Sequence, residues 1–280
     1  MTNSVKERYT NVNRIRLFRE LHAKANKLLI LPNVWDAGGA RIVESLGAQA
    51  VATTSAGVAW SLGYPDGNHL PALLVARLAE QLVRAVKVPV SIDFEAGYAS
   101  EPSVIADNLK PILAAGISGI NIEDGTDAPA MLAGKIEAIK ALAASMGVDV
   151  FVNARTDVYL QGLVADDKKV QETLGRAAVY RSAGADGLFV PGLTDVAHIA
   201  KITEGTELPV NLMSSAELPK LDALEKLNVR RLSAGTAISQ IVSKHVALLA
   251  ESFLNHGDCE VFNEDAMPYS QLQNLFEGQQ

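Results

Sequence analysis

The 280-residue chain reads as an α/β protein wound as a (β/α)8 TIM barrel, with one helix before the barrel and one closing it. Three observations predict this. Eight short apolar runs recur along the chain, the strand number of that barrel. The stretches between them carry helical periodicity, as in Pro71–Lys87, where Leu74, Leu78, Leu82 and Val86 recur every fourth residue. No Gly-rich GxGxxG turn follows any run, which disfavours the rival open doubly wound sheet.

The elements follow in order. Asn11–Asn26 makes an amphipathic helix with Ile15, Phe18, Leu21 and His22 on related faces, placed to plug the barrel bottom. The apolar runs are Leu28–Asp36, Ala50–Gly57, Pro89–Gly97, Gly119–Gly125, Val150–Asp157, Gly187–Gly192, Leu208–Ser214 and Val229–Gly235. Besides Pro71–Lys87, helices fit Glu101–Ala115, Ala128–Ser145, Asp166–Ala183, Asp195–Thr203, Ala216–Leu227 and Ala237–Leu254. Gly47, Gly116 and Gly184 suit left-handed helix ends before the next strand. Asp36 and Asp195 have helix caps as their plainest reading. Residues 255–280 form a mixed tail with a short helix after Ser270. Nothing resembles a linker, so residues 1–280 are expected to form one domain: helix 1–27, barrel 28–254 and tail 255–280.

Composition excludes several classes. The 48% of hydrophobic residues suffices for a sizeable core, and the lone Cys259 rules out a disulfide framework or a cysteine zinc cluster. The net charge of −7, without runs of Lys or Arg, argues against nucleic acid and anionic membranes as partners. The polar N-terminus has no signal core, and no stretch approaches a membrane span, so a cytoplasmic protein is expected.

Unusual polar residues collect where the strands end, the side on which barrel enzymes place their chemistry. Two-residue alternation puts Ser91, Asp93 and Glu95 on one face of the third strand and Val90, Ile92 and Phe94 on the other. The same parity turns Asn121 and Glu123 inward on the fourth strand and groups Asn153, Arg155 and Asp157 on the fifth. The second strand ends in Thr53 and Ser55, and the seventh carries Asn211. Three inward carboxylates repel one another unless a cation or protons compensate them. An all-oxygen donor set without His or Cys suits a hard ion, Mg²⁺ better than Ca²⁺, with Mn²⁺ as a substitute. An ion pair between Glu123 and Arg155 is a structural rival for that glutamate and compatible with a role at the metal. Arg155 offers a permanently charged fork for a carboxylate, and the amides of Ser55, Ala56 and Gly57 suit a second anionic group. The partner so described is a small, chelating, acidic molecule such as a 2-oxo acid.

The segments NVWDAGGARIVESLGAQAVATTSAG, LGYPDGN, PVSIDFEAGY, GINIEDG, NARTD and RRLSAG, in this order, resemble the isocitrate lyase/phosphoenolpyruvate mutase superfamily. SIDFEAGY is the most specific of them. The resemblance implies that Asp93 binds Mg²⁺ directly and that Glu95 and Glu123 reach it through water, with Asp66 beside the cluster. It implies that Ser55, Ala56, Gly57 and Arg155 hold substrate carboxylate. It further implies an enolate of a 2-oxo acid stabilised on the metal while a C–C or P–C bond is made or broken. Tetramers that swap the last helix are common in the superfamily, so Ala237–Leu254 is expected to pack on a partner in a homo-oligomer.

Departures from the family pattern bear on the reaction. The lid segment after the fourth strand, GTDAPAMLAGK, lacks the Cys and His of isocitrate-lyase lids, and its Lys135 already belongs to the next helix. Pro191-Gly192 stands where mutases often carry a sixth-strand His, and Ala56 replaces a usual Gly. Tyr64, Tyr98 and His69 are the nearby side chains able to handle a proton. A Mg²⁺-dependent lyase acting by C–C cleavage or decarboxylation is the reading that suffers least from the missing lid acid. P–C chemistry on phosphoenolpyruvate or phosphonopyruvate and a non-catalytic 2-oxo acid binding protein are the alternatives.

Overall fold

The computed structural model describes residues 3–23, 27–257, 259–260, 262 and 266–277. Nine parallel strands run in the order β1-β9-β8-β7-β6-β5-β4-β3-β2. They are β1 (Leu29–Leu31), β2 (Asn33–Val34), β3 (Val51–Thr53), β4 (Val90–Asp93), β5 (Gly119–Glu123), β6 (Phe151–Arg155), β7 (Gly187–Phe189), β8 (Val210–Met213) and β9 (Arg231–Ser233). Nine replace the expected eight because Pro32, which has no N–H to donate, splits the first strand. Its lower half, β1, pairs with β9, and its upper half, β2, pairs with β3. One interrupted strand thus joins the two ends of the sheet into a nearly closed (β/α)8 barrel.

The helices are α1 (Asn3–Ala23), α2 (Ala37–Ser45), α3 (Ser55–Ser61), α4 (Ala72–Ala85), α5 (Pro102–Ala114), α6 (Pro129–Met146), α7 (Lys169–Ser182), α8 (Val196–Gly205), α9 (Leu221–Lys226), α10 (Ala237–His256) and α11 (Tyr269–Phe276). Asp36 and Asp195 cap α2 and α8, accepting from the amides of Gly39 at 2.6 Å and His198 at 2.8 Å. Gly47, Gly116 and Gly184 have φ of +90, +87 and +104. Helix α9 starts later than the expected Ala216, since Pro219 disfavours helical geometry at the residue before it. Helix α1 begins earlier than expected, no Gly or Pro interrupting residues 3–10, while the expected end at Asn26 lies outside the described residues.

Apolar residues of alternate strand positions, among them Ile92, Ile120, Ile122 and Val152, pack outward against Ile105, Leu109, Ile136 and Ile139 of the helices. A second, smaller core fills the barrel bottom, where Ile15, Phe18 and Leu21 of α1 meet Leu29, Leu31, Ala50, Ala52 and Phe151. Gly119 makes room for this plug, because a Cβ there would stand 2.7 Å from the Phe18 ring. Arg19 locks α1 in place through bonds of 2.7 Å to Asp149 and Asp186. The barrel interior is thereby plugged from below by α1, with a pocket beside it lined by Arg19, His22, Asp186 and Arg230.

Candidate active site

Strand register assembles the mouth. Asp93 lies opposite Asn121, and Glu123 opposite Arg155. Asp93 is held at both ends: its amide donates to the Thr53 hydroxyl at 2.7 Å, and its carboxylate accepts from the Ser55 amide at 3.2 Å. Burial pushes its pKa up, opposed mainly by the Arg155 charge. Glu123 is raised to about 8 by burial together with the charges of Asp93, Asp157 and Glu95, although Arg155 Nη1 lies 2.7 Å from its Oε2.

Glu95 corrects the alternation argument. Strand β4 ends at Asp93, and Glu95 sits in a left-handed turn with φ +49, so no pleat carries it inward. It is buried nonetheless, because its carboxylate accepts from the amide of Asn68 and the hydroxyl of Tyr98. Burial and the neighbouring carboxylates raise the pKa of Tyr98, which keeps that hydroxyl a donor. Asp66, on the segment between α3 and α4, is exposed, and its charge acts on both Asp93 and Glu95.

Ser55, Ala56 and Gly57 form the first turn of α3 where an extended strand end was expected. First-turn amides have no acceptor inside their helix, and that of Ser55 is directed at Asp93. Gly57 is also a packing requirement, since a Cβ there would stand 2.7 Å from Thr54 and 3.2 Å from Ser239 and Trp35. Asn211 is fully buried below the mouth, where its Oδ1 accepts from Ser233 at 3.2 Å. Tyr64 packs half-buried on the core, and His69 is exposed.

Arg155 is oriented by carboxylates on two sides. Besides Glu123, Asp157 takes its Nε at 2.7 Å and its Nη2 at 3.0 Å. Asp157 is in turn anchored by Asp124, whose carboxylate accepts from the Asp157 amide at 2.9 Å, Arg176 at 2.8 Å and the Tyr180 hydroxyl at 2.5 Å. The sequence reading missed Asp124 and Asn68. An acid of opposite parity beside Glu123 signals the first, and Asn following Gly in a turn, a residue tolerant of φ +63, signals the second.

Among the described residues no three His, Cys, Asp or Glu side chains stand close enough together to hold a metal ion by themselves. The donor set still fits Mg²⁺, because Asp93, Glu95 and Glu123 are all-oxygen groups whose mutual charge a cation would offset.

The chain is similar to known proteins over most of its length. It is 40% identical to a structure from Burkholderia cenocepacia J2315 described provisionally as a phosphonomutase, with TM-score 0.80, covering 85% of this chain and 99% of that one. An uncharacterized protein of Mycobacterium tuberculosis (strain ATCC 25618 / H37Rv) is 39% identical over 223 residues, 78% of this chain and 81% of its own. An oxaloacetate decarboxylase of Pseudomonas savastanoi pv. phaseolicola (strain 1448A / Race 6) is 29% identical over 222 residues, 77% of this chain and 76% of its own. The family model for phosphoenolpyruvate phosphomutase matches residues 18–254, which include every residue of the mouth described above. The chain belongs to this family, within the isocitrate lyase/phosphoenolpyruvate mutase superfamily of lyases and mutases.

Proposed function

We propose that this protein is a Mg²⁺-dependent carbon–carbon lyase that cleaves or decarboxylates a small 2-oxo or 2-hydroxy carboxylic acid. The observation that carries the reading is the gathering of Asp93, Glu95 and Glu123 at the barrel mouth, each held above its ordinary pKa, with the Arg155 fork against Glu123 and its charge acting on Asp93. The similarity to an oxaloacetate decarboxylase supports it. Asp93 would hold the metal, with Glu95, Glu123 and Asp66 ordering its waters; Mn²⁺ would serve in its place. The ion, when bound, supplies a Lewis acid against the negative charge that develops on the 2-oxo oxygen.

Substrate carboxylate is assigned to Arg155 and the α3 amides. Three of the five guanidinium N–H groups are engaged by Glu123 and Asp157, which leaves two for a ligand. Asn211 is assigned to the floor below the substrate. Tyr98 keeps its proton and donates a hydrogen bond to the Glu95 carboxylate, which helps to hold that acid at the mouth.

The test is turnover of oxaloacetate with Mg²⁺, followed by loss of the 2-oxo absorbance. Turnover is expected to vanish with EDTA and in Asp93→Ala, and turnover that persists without metal would overturn the reading. P–C chemistry is the second reading, favoured by the phosphonomutase likeness at 40% identity. Consumption of phosphonopyruvate, read by phosphorus NMR, would establish it instead. We also read residues 1–280 as one cytoplasmic barrel domain that assembles into a homo-oligomer. Helix α10 supports the assembly: Ser239 is its buried residue, while Ile241, Val242, Val246 and Leu248 stand exposed.

A further inference from the structure

Lys135 is buried at 3% exposure on α6, where an ammonium group is costly unless it does something specific. Its Nζ donates to the carbonyl of Ala96 at 3.0 Å. Ala96 lies inside a turn of unusual backbone: Glu95, Gly97 and Tyr98 have φ of +49, +94 and +56. Left-handed geometry at Glu and Tyr costs free energy and persists only where the surroundings impose it.

The surroundings do so from two sides. On the mouth side, Asn68 accepts with Oδ1 from the amides of Ala96 at 3.1 Å and Tyr98 at 3.3 Å, and its own amide donates to the Glu95 carboxylate. On the helix side, Lys135 takes the Ala96 carbonyl, and Asn108 donates to the carbonyl of Gly97 at 3.2 Å. The side chain of Ile105 closes the space at Gly97, where a Cβ would stand 2.9 Å from it. Polar groups of residues 95–98 are thus tied to α5, α6 and the turn at Asn68, and the Glu95 carboxylate is aimed by backbone geometry that β4 does not supply.

We propose that Lys135 and Asn68 are positioning residues that clamp the turn 94–98 from opposite sides and thereby hold Glu95 against Asp93. The consequence for metal binding rests on the reading of Glu95 as part of a metal site; the clamp itself does not. Two variants test it. Lys135→Met removes the ammonium and keeps the volume, and Asn68→Gly keeps the left-handed backbone and removes the acceptor. In metal-free protein, hydrogen exchange read by mass spectrometry on the peptide spanning 94–100 is expected to quicken at least tenfold in each variant, with peptides of β5 and β6 unchanged. Mn²⁺ affinity, read by electron paramagnetic resonance, is expected to fall about tenfold in each, with Asn68→Asp within threefold of the parent.

Unchanged exchange over 94–100 in both variants would overturn the clamp, as would a general quickening across all strands, the mark of a merely structural residue. If the parent protein binds no Mn²⁺, the metal reading fails on its own, and the exchange measurement still decides the clamp. If the parent binds Mn²⁺ and both variants bind it equally well, Glu95 needs no such positioning and the inference is overturned.

Discussion

Asp124 touches neither the mouth nor solvent, yet the orientation of Arg155 runs through it. Its carboxylate is shared by Arg176, Tyr180 and the Asp157 amide, and replacing it takes from Arg176 its buried partner, leaving only Glu172 and the Asp127 carbonyl. Removing one partner of a buried pair costs up to about 3–5 kcal/mol, and less where other partners remain. Asp124→Ala should therefore lower unfolding free energy in urea by up to that order, whereas Tyr180→Phe should cost about 1 kcal/mol. His22 sets a pH dependence. Burial, with the charges of Arg231 and Arg19, pushes its pKa down to about 3, so the folded protein keeps it neutral while the unfolded chain protonates near 6.5. The unfolded state then binds the extra proton, and the stability present above pH 6.5 is lost as pH falls toward 3. Compared with the parent, His22→Phe should lose about 2 kcal/mol less between pH 7 and 4.5 in urea titrations. An equal loss in both proteins would remove His22 from the account.

At the scale of elements, α1 acts as the barrel's stopper. Phe18 is fully buried against Phe151 and His22, with ring centroids 5.5 and 4.6 Å away, and Phe18→Ala should cost about 3–5 kcal/mol by thermal or urea unfolding. Gly57→Ala would force Thr54, Ser239 and Trp35 apart, with a cost of about 1–3 kcal/mol and looser packing where α10 begins. Much of this architecture was legible beforehand. Period-two and period-four apolar spacing marked the strands and helices, and the inward parity of Asp93, Glu123 and Arg155 followed directly. What escaped were places where local geometry departs from a repeating pattern. Glu95 itself sits in a left-handed turn, Ser55–Gly57 begins a helix where a strand was extrapolated, and Pro32 divides a strand. Each is decided by contacts from distant segments, such as Asn68 on Glu95, which no periodicity records.

For the whole molecule, the decisive balance is between its two ends. The lower end is plugged by the hydrocarbon of α1 and tied by Arg19, and the upper end concentrates carboxylates about one largely buried fork, Arg155. The exposed apolar row on α10 bears on assembly. Ile241→Asp combined with Val246→Asp should reduce the mass measured by light scattering to that of one chain, if a second copy covers the row. A parent protein that already runs as one chain would refute the assembly.

The strand broken at Pro32 also imposes an order in time. Its upper half finds β3 within a short stretch of chain, but its lower half must wait for Arg231, which is synthesised 202 residues after Leu29 (231 − 29). A ring whose last seam joins the first and last strands cannot close on the ribosome until nearly the whole chain has emerged. Until then Leu29 and Leu31 present an unpaired edge, and nascent chains halted short of Arg231 should be cut by protease near that edge, while those extending well past Ser233 resist.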